Sequence, residues 1–315
     1  MTKKRSFIVG IRGIKLNKKE VFFLKKYKPW GVILFSRNIK SIDQTQKLTS
    51  HIRKLFNDKN YPILIDEEGG TVSRINKFID TSLFNSDYFG RIYKTDHKKF
   101  KIYYKKYIKQ ISYLLKLLGI NINTVPVLDV KRKFTNKVLF GRTYSNNPKI
   151  VHKLGKLCIE YFHKHGIATV MKHIPGHGLA RVDTHDKMSI TNKNIKYLNQ
   201  NDFSPFKNQR SIMAMTAHII YSSIDKKNTA THSKKIIKII RNKIGFKKII
   251  ITDDISMKSL KYSVKENTIR AFTAGCNLVL HCNGRYNEMI NVAENSPFIS
   301  PFVSKKTTNL INIFK

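Results

Sequence analysis

The chain has 315 residues, 41% of them hydrophobic, with 60 Lys and Arg against 20 Asp and Glu and a formal net charge of +40. That length and apolar content allow a large folded core and exclude general disorder. No apolar run approaches the ~20 residues of a membrane helix. The three cysteines, Cys158, Cys276 and Cys282, suggest neither a disulfide framework nor a zinc spacing. The basic, briefly apolar start from Met1 to Ile11 lacks a long apolar stretch and a small-residue cleavage site. It reads as a first strand and not a signal peptide, so a cytoplasmic location is expected. Lysine is spread over nearly every segment beside abundant isoleucine and asparagine, with no basic tail and no basic segment interleaved with aromatics. The charge therefore reads as the habit of an AT-rich genome, and no nucleic acid or membrane partner is expected. A monomer is the expectation.

In chain order, Phe7 to Ile11 predicts a strand, Lys18 to Lys26 a short helix and Gly31 to Phe35 a second strand. Asp43 to Phe56 has helical spacing, with Leu48, Ile52 and Leu55 on one face. A third strand, Ile63 to Ile65, runs into Asp66-Glu67-Glu68-Gly69-Gly70. No element is evident from Phe78 to Asp96. Phe100 to Leu118 then repeats apolar residues at helical spacing and stops at Gly119. Ile122 to Leu128 is strand four, with Asp129 near its end. Pro148 opens a helix running to Lys164, and Ile167 to Met171 is strand five. Met213 to Ala217 is strand six and leads into His218. Ser233 caps a helix that reaches Ile244, and Lys248 to Thr252 is strand seven. Glu266 to Ala274 is a helix ended by Gly275, and Asn277 to Leu280 is strand eight. Eight strand-like runs alternating with helices, each strand followed by polar residues, predict a single (β/α)8 TIM barrel over residues 1–315 with its site at the C-terminal ends of the strands.

In such a barrel the residues that follow strands converge on one mouth: Asp66, Asp129, Arg142, Lys172, His173, Asp183, His185, His218 and Asp253. Carboxylates facing cations suit a polyol, whose hydroxyls both donate and accept. Of Asp253 and Asp254, one should enter the mouth and the other should be held in the structure. A carboxylate there can attack an anomeric carbon, or the pair, with Ser256, can cap the next helix. Asp183 and His185, two apart in the loop after strand five, can form an acid/base pair or belong to a solvated loop. His173 and His177 have Pro175 and Gly176 between them and no intervening glutamate, so they do not match metal ligands on one helix face. No metal is expected.

From about Gly31 to Asn283 the chain resembles bacterial β-N-acetylglucosaminidases of glycoside hydrolase family 3, of the single-barrel, cell-wall-recycling type. The resemblance rests on Gly31 to Asn38, Asp66 to Gly70, Val125 to Asp129, Gly141 to Tyr144, Lys172 to His185, Met215 to His218, Thr252 to Met257 and Ala274 to Asn277, all in order. It implies that Asp253 is the nucleophile and that Asp183 and His185 form the acid/base dyad. It also implies that Asp66, Arg142, Lys172 and His173 bind the terminal sugar, with no cofactor. The implied reaction is retaining release of terminal N-acetylglucosamine from small carbohydrates, N-acetylglucosaminyl-1,6-anhydro-muramyl (peptide) fragments. Two departures stand out: Thr71 where the family often has arginine, and Leu179-Ala180 where it commonly has aspartate-threonine.

Three rivals follow. A histidine acid/base tolerates phosphate as acceptor, which would make the enzyme a phosphorylase. A β-glucosidase or xylosidase of the same fold usually has Ser-Asp-Trp where this chain has Thr252-Asp253-Asp254. A non-catalytic nucleic-acid-binding protein would rest on charge alone and would bind RNA with steep salt dependence.

Overall fold

The structure is a computed structural model that describes residues 4–314 apart from 181 and 184–186. Its strands are β1 (Arg5–Gly10), β2 (Pro29–Leu34), β3 (Ile63–Ile65), β4 (Ile122–Asn123), β5 (Ala168–Ile174), β6 (Ser189–Thr191), β7 (Met213–Thr216), β8 (Ile219–Tyr221), β9 (Ile249–Asp254) and β10 (Leu278–His281). Eight of them form a closed barrel in the order β1-β10-β9-β7-β5-β4-β3-β2. All its pairings are parallel, and Phe7 opposite Val279 closes the ring. The predicted (β/α)8 barrel is therefore present, with each of the eight expected strands within a few residues of its place. Strand four is shorter than expected, because after Asn123 the chain leaves the ladder.

Alternation along each strand explains the near-continuous apolar runs. Ile8, Ile33, Leu64, Ile122, Val170, Met213, Ile251 and Leu280 pack inside the barrel. Their neighbours Phe7, Val9, Val32, Leu34, Ile63, Ile65, Met171 and Ala214 join the larger cluster beneath the surrounding helices. The helices over Lys18–Tyr27, Ile42–Phe56, His97–Leu117, Pro148–Lys164, Lys234–Asn242 and Val264–Ala274 follow the expected spans closely. Ser233 caps the fifth of these by accepting from Ile236 N. Gly275, at φ 110°, ends the last in the left-handed region, where a Cβ is costly.

Three features depart from the expected outline. A helix occupies Ser86–Thr95 inside the stretch that showed no element, with Asn85 accepting from Tyr88 N as its cap. A separate parallel pair, β6 with β8, lies outside the barrel. Beyond strand eight come the helices Tyr286–Glu294 and Pro301–Phe314. Val303 and Leu310 of the latter complete the barrel-interior cluster, and Trp30 Nε1 donates to Thr307 Oγ1 at 2.9 Å. Since Trp30 stands at the start of β2, this helix covers the N-terminal end of the barrel and leaves the C-terminal end for the site. Among the described residues no helix is long and apolar enough to cross a membrane.

Candidate active site

The C-terminal ends of the barrel strands surround a cavity of about 450 Å³, within the range of small-molecule sites. One wall is a chain of opposite charges. Lys172, from the inside of β5, places Nζ 3.0 Å from Asp66 Oδ1 and 2.6 Å from Glu68 Oε1, and it donates to Thr124 Oγ1 at 3.0 Å. Thr124 Oγ1 donates in turn to Asp66. Arg142 comes from the long connection after β4 and grips Glu68 with two parallel bonds, Nε to Oε2 at 2.8 Å and Nη2 to Oε1 at 2.9 Å. Arg74 Nη2 lies 3.7 Å from Asp66 Oδ2. Burial alone would favour neutral carboxyls, but the adjacent cations outweigh it. Lys172 and Arg74 hold Asp66 well below the usual carboxylate range, and Arg142 and Lys172 hold Glu68 at about 2. Asp66, Glu68, Lys172 and Arg142 are thus ionised, desolvated and joined by short contacts, so the wall presents fixed donors and acceptors to a ligand.

The opposite wall carries Asp253 at the end of β9. Its Oδ1 accepts from Asp254 N at 2.7 Å, and its Oδ2 faces His173 Nε2 at 3.8 Å. Burial pushes its carboxyl up, while His173, His218 and Lys172 together bring it below its ordinary value, so it is a carboxylate at neutral pH. Asp254 is turned into the structure, accepting from Ser256 N, Ser256 Oγ and Cys282 N. The expected division of the two aspartates is thus observed. The helix that follows is capped by Ser263 and not by either of them or by Ser256.

Asp129 is fully buried behind His173. It accepts from His173 Nδ1 at 2.7 Å and from His177 N at 2.6 Å. That leaves His173 Nε2 toward Asp253 and the cavity. His177 also lines the cavity, and burial, with His173 beside it, lowers its imidazole to about 4. His218 is buried and bonded to Thr231 Oγ1 and Asp254 O at 2.7 and 3.0 Å.

Of the residues expected at the site, Asp66, Arg142, Lys172, His173 and Asp253 therefore line one cavity, with Asp129 and His218 packed behind it. Asp183 is half-buried and is not among the described residues that line the cavity. His185, its expected partner, lies outside the described residues. Thr71 stands in the cavity wall, and Leu179 and Ala180, in the histidine loop that follows β5, are buried in the core. The reading from sequence missed Glu68, Arg74 and His177. Glu68 carried a signal, since it follows a strand end two residues after Asp66, but its partner Arg142 is 74 positions away.

The family model of the glycosyl hydrolase family 3 N terminal domain matches residues 4–312. A β-hexosaminidase from Nitrosomonas eutropha is 33% identical over 80% of this chain and 73% of its own length. β-Hexosaminidase A from Pseudoalteromonas piscicida is 31% identical over 82% of this chain, which spans only 46% of that protein. Among solved structures, native NagZ from Neisseria gonorrhoeae is 26% identical and superposes with a TM-score of 0.85, over 98% of this chain and 90% of its own.

Proposed function

The chain belongs to the glycosyl hydrolase family 3 N terminal domain family, and on that premise we propose that it is a retaining exo-β-N-acetylglucosaminidase. The observation that carries the reading is Asp253, an ionised carboxylate across a small cavity from the paired Asp66, Lys172, Glu68 and Arg142. The β-hexosaminidase relatives support the choice of sugar.

In the proposed reaction Asp66, Arg142, Lys172 and His173 hold the hydroxyls of the terminal sugar. Asp253 attacks the anomeric carbon, and the bond from that carbon to the leaving oxygen breaks as His185, held by Asp183, protonates the oxygen. A glycosyl-enzyme on Asp253 results. His185 then takes a proton from water, which attacks the same carbon, frees Asp253 and gives N-acetylglucosamine. A lowered nucleophile pKa suits this order, because Asp253 must be deprotonated when it attacks while His185 must still carry the proton it donates. N-acetylglucosaminyl muropeptide fragments as substrate and a cytoplasmic setting belong to the same proposal.

Kinetics on 4-nitrophenyl N-acetyl-β-glucosaminide test it. Asp253→Ala should lose activity to background, and turnover like the wild type in that variant would sink the assignment. His185→Ala should lose less on this activated substrate than on one with a poor leaving group, and equal losses would remove His185 as the acid. Mass spectrometry of muropeptide digests, run with and without phosphate, distinguishes free N-acetylglucosamine from its 1-phosphate.

A further inference from the structure

The N-terminal end of the barrel carries a second cleft, of about 320 Å³, at the low end of the range for small-molecule sites. Four segments build it. Lys248 comes from the residue before β9, Arg210 from the segment before β7, and His163 from the last turn of the helix Pro148–Lys164. Lys306 and Asn309 come from the helix Pro301–Phe314. No aspartate or glutamate is among the residues that line it. The cleft lies at the opposite end of the strands from the cavity that holds Asp253.

With 60 Lys and Arg against 20 Asp and Glu, unpaired cations are common on this chain, so their sign alone proves nothing. These differ in being held. A lysine on an open surface keeps its ammonium in water, but half-buried Lys248 donates to Arg210 O at 2.8 Å and to Ser211 O at 3.1 Å. An ammonium has three donors, so one is left, on a side chain that lines the cleft. Lys306 rests its Nζ 5.7 Å from the centre of the Phe302 ring. His163 Nε2 lies 3.0 Å from Thr169 Oγ1, which donates to Ser211 Oγ at 3.1 Å. The one Thr169 hydroxyl proton is engaged there, so His163 Nε2 donates, and the other ring nitrogen is left to take up a proton. The crowding of positive charge shows in the titrating groups. Burial lowers the Lys248 ammonium, and Lys306 and Arg210 lower it further. Burial, and then Lys248, bring the His163 imidazole down to about 4. Partly desolvated cations with neutral acceptors alone are costly, and an anion among them removes that cost.

We propose that this cleft binds a small phosphate-bearing anion, with Lys248, Lys306 and Arg210 on its oxygens and the Asn309 amide beside them. Phosphate chemistry fits because a multiply charged oxyanion offers several acceptors at once to converging lysine and arginine donors. A lone carboxylate offers two oxygens and a single charge to three cations. A nucleic acid fits less well, since no Phe, Tyr or Trp lines the cleft to stack on a base. The site is separate from the sugar chemistry at the other end of the barrel and does not rest on it.

The test is calorimetric titration of the full chain with pyrophosphate at fixed ionic strength, for wild type, Lys248→Met, Lys306→Gln, Arg210→Gln and Lys226→Gln. Lys226 is exposed and does not line the cleft, so its variant controls for the net charge. Wild type should bind pyrophosphate saturably at a single site. Each cleft variant loses one charge-assisted contact and should bind about tenfold more weakly or worse, while Lys226→Gln stays within about twofold of wild type. No saturable binding by the wild type, or equal weakening in Lys226→Gln, overturns the site. A single-stranded RNA that binds more tightly than pyrophosphate, and is weakened as much by Lys248→Met, overturns the assignment to a small anion. If Lys248→Met does not fold by circular dichroism, Lys306→Gln and Arg210→Gln decide it. Weakened binding in both supports the site, and unchanged binding in either overturns it.

Discussion

Asp129 Oδ2 lies 2.7 Å from His173 Nδ1, and the other nitrogen of the same ring faces Asp253 at 3.8 Å. A buried carboxylate therefore sets the orientation of an imidazole that in turn meets the proposed nucleophile. Asp129 also accepts from the backbone of the histidine loop at His177 N. Asp129→Asn keeps the shape but replaces one acceptor oxygen by a donor. Hydrogen bonds to charged groups contribute about 1.5–3 kcal/mol, so urea unfolding should show a loss of that size, and kcat/KM should fall by about 10- to 100-fold. A fall in stability with unchanged kinetics would make Asp129 a strut of the loop and nothing more.

The Glu68 carboxylate joins Lys172 to Arg142, and its low pKa has a consequence for acid stability. Burial opposes ionisation, but Arg142 and Lys172 prevail and bring it from 4.5 to about 2. A depressed carboxyl stabilises the fold above its unfolded pKa, and that contribution drains away as pH falls toward the folded pKa. The unfolding free energy should therefore drop between about pH 4.5 and about pH 2, with Asp66, lowered by Lys172 and Arg74 against its burial, acting in the same direction. Glu68→Gln should flatten that slope and cost about 3–5 kcal/mol at pH 7, since buried Arg142 loses its carboxylate and Lys172 loses one of two. Denaturant melts across the pH range check both, and an unchanged slope would show that Glu68 is not the group responsible.

Much of this architecture could be read from the residues alone, and the exceptions have physical reasons. The strands were legible because each is a short apolar run followed by polar residues, and barrel closure then made the strand ends converge. Asp66, Lys172, His173 and Asp253 follow from that logic. Glu68 and Arg74 did not, because their roles depend on partners that only folding brings near: Arg142 for the first, Asp66 and Phe35 for the second. The helix Ser86–Thr95 was hidden for a related reason. Gly90 interrupts its helical pattern, and the glycine is needed because a Cβ there would overlap the Tyr144 carbonyl. The helix Pro301–Phe314 shows its purpose only against the open end of a barrel.

The histidine loop offers a test in which binding and chemistry should separate. Gly178 sits against the main chain of Val130, and a Cβ would overlap the Val130 carbonyl, a backbone atom that cannot rotate away. Thr135 Oγ1 donates to Gly178 O at 2.9 Å, and Asn136 N donates to Ala180 O at 3.2 Å, so the two loops are joined along their length. Gly178→Ala must push them apart, with an overpacking cost of about 1–3 kcal/mol. Lys172 and His173 lie upstream on β5 and should keep their places, whereas Asp183 and, on the proposed reading, His185 lie downstream of the displaced turn. Misplacing a proton donor by about 1 Å can cost about 100-fold, so kcat should fall by tenfold or more while KM stays within about threefold. Thr135→Val removes the bond to Gly178 without the overlap and should cost only about 1 kcal/mol, with little change in kcat. Kinetics of both variants, on good and poor leaving groups, check this. A risen KM with unchanged kcat in Gly178→Ala would mean that the turn serves the sugar-binding wall and not the proton donor.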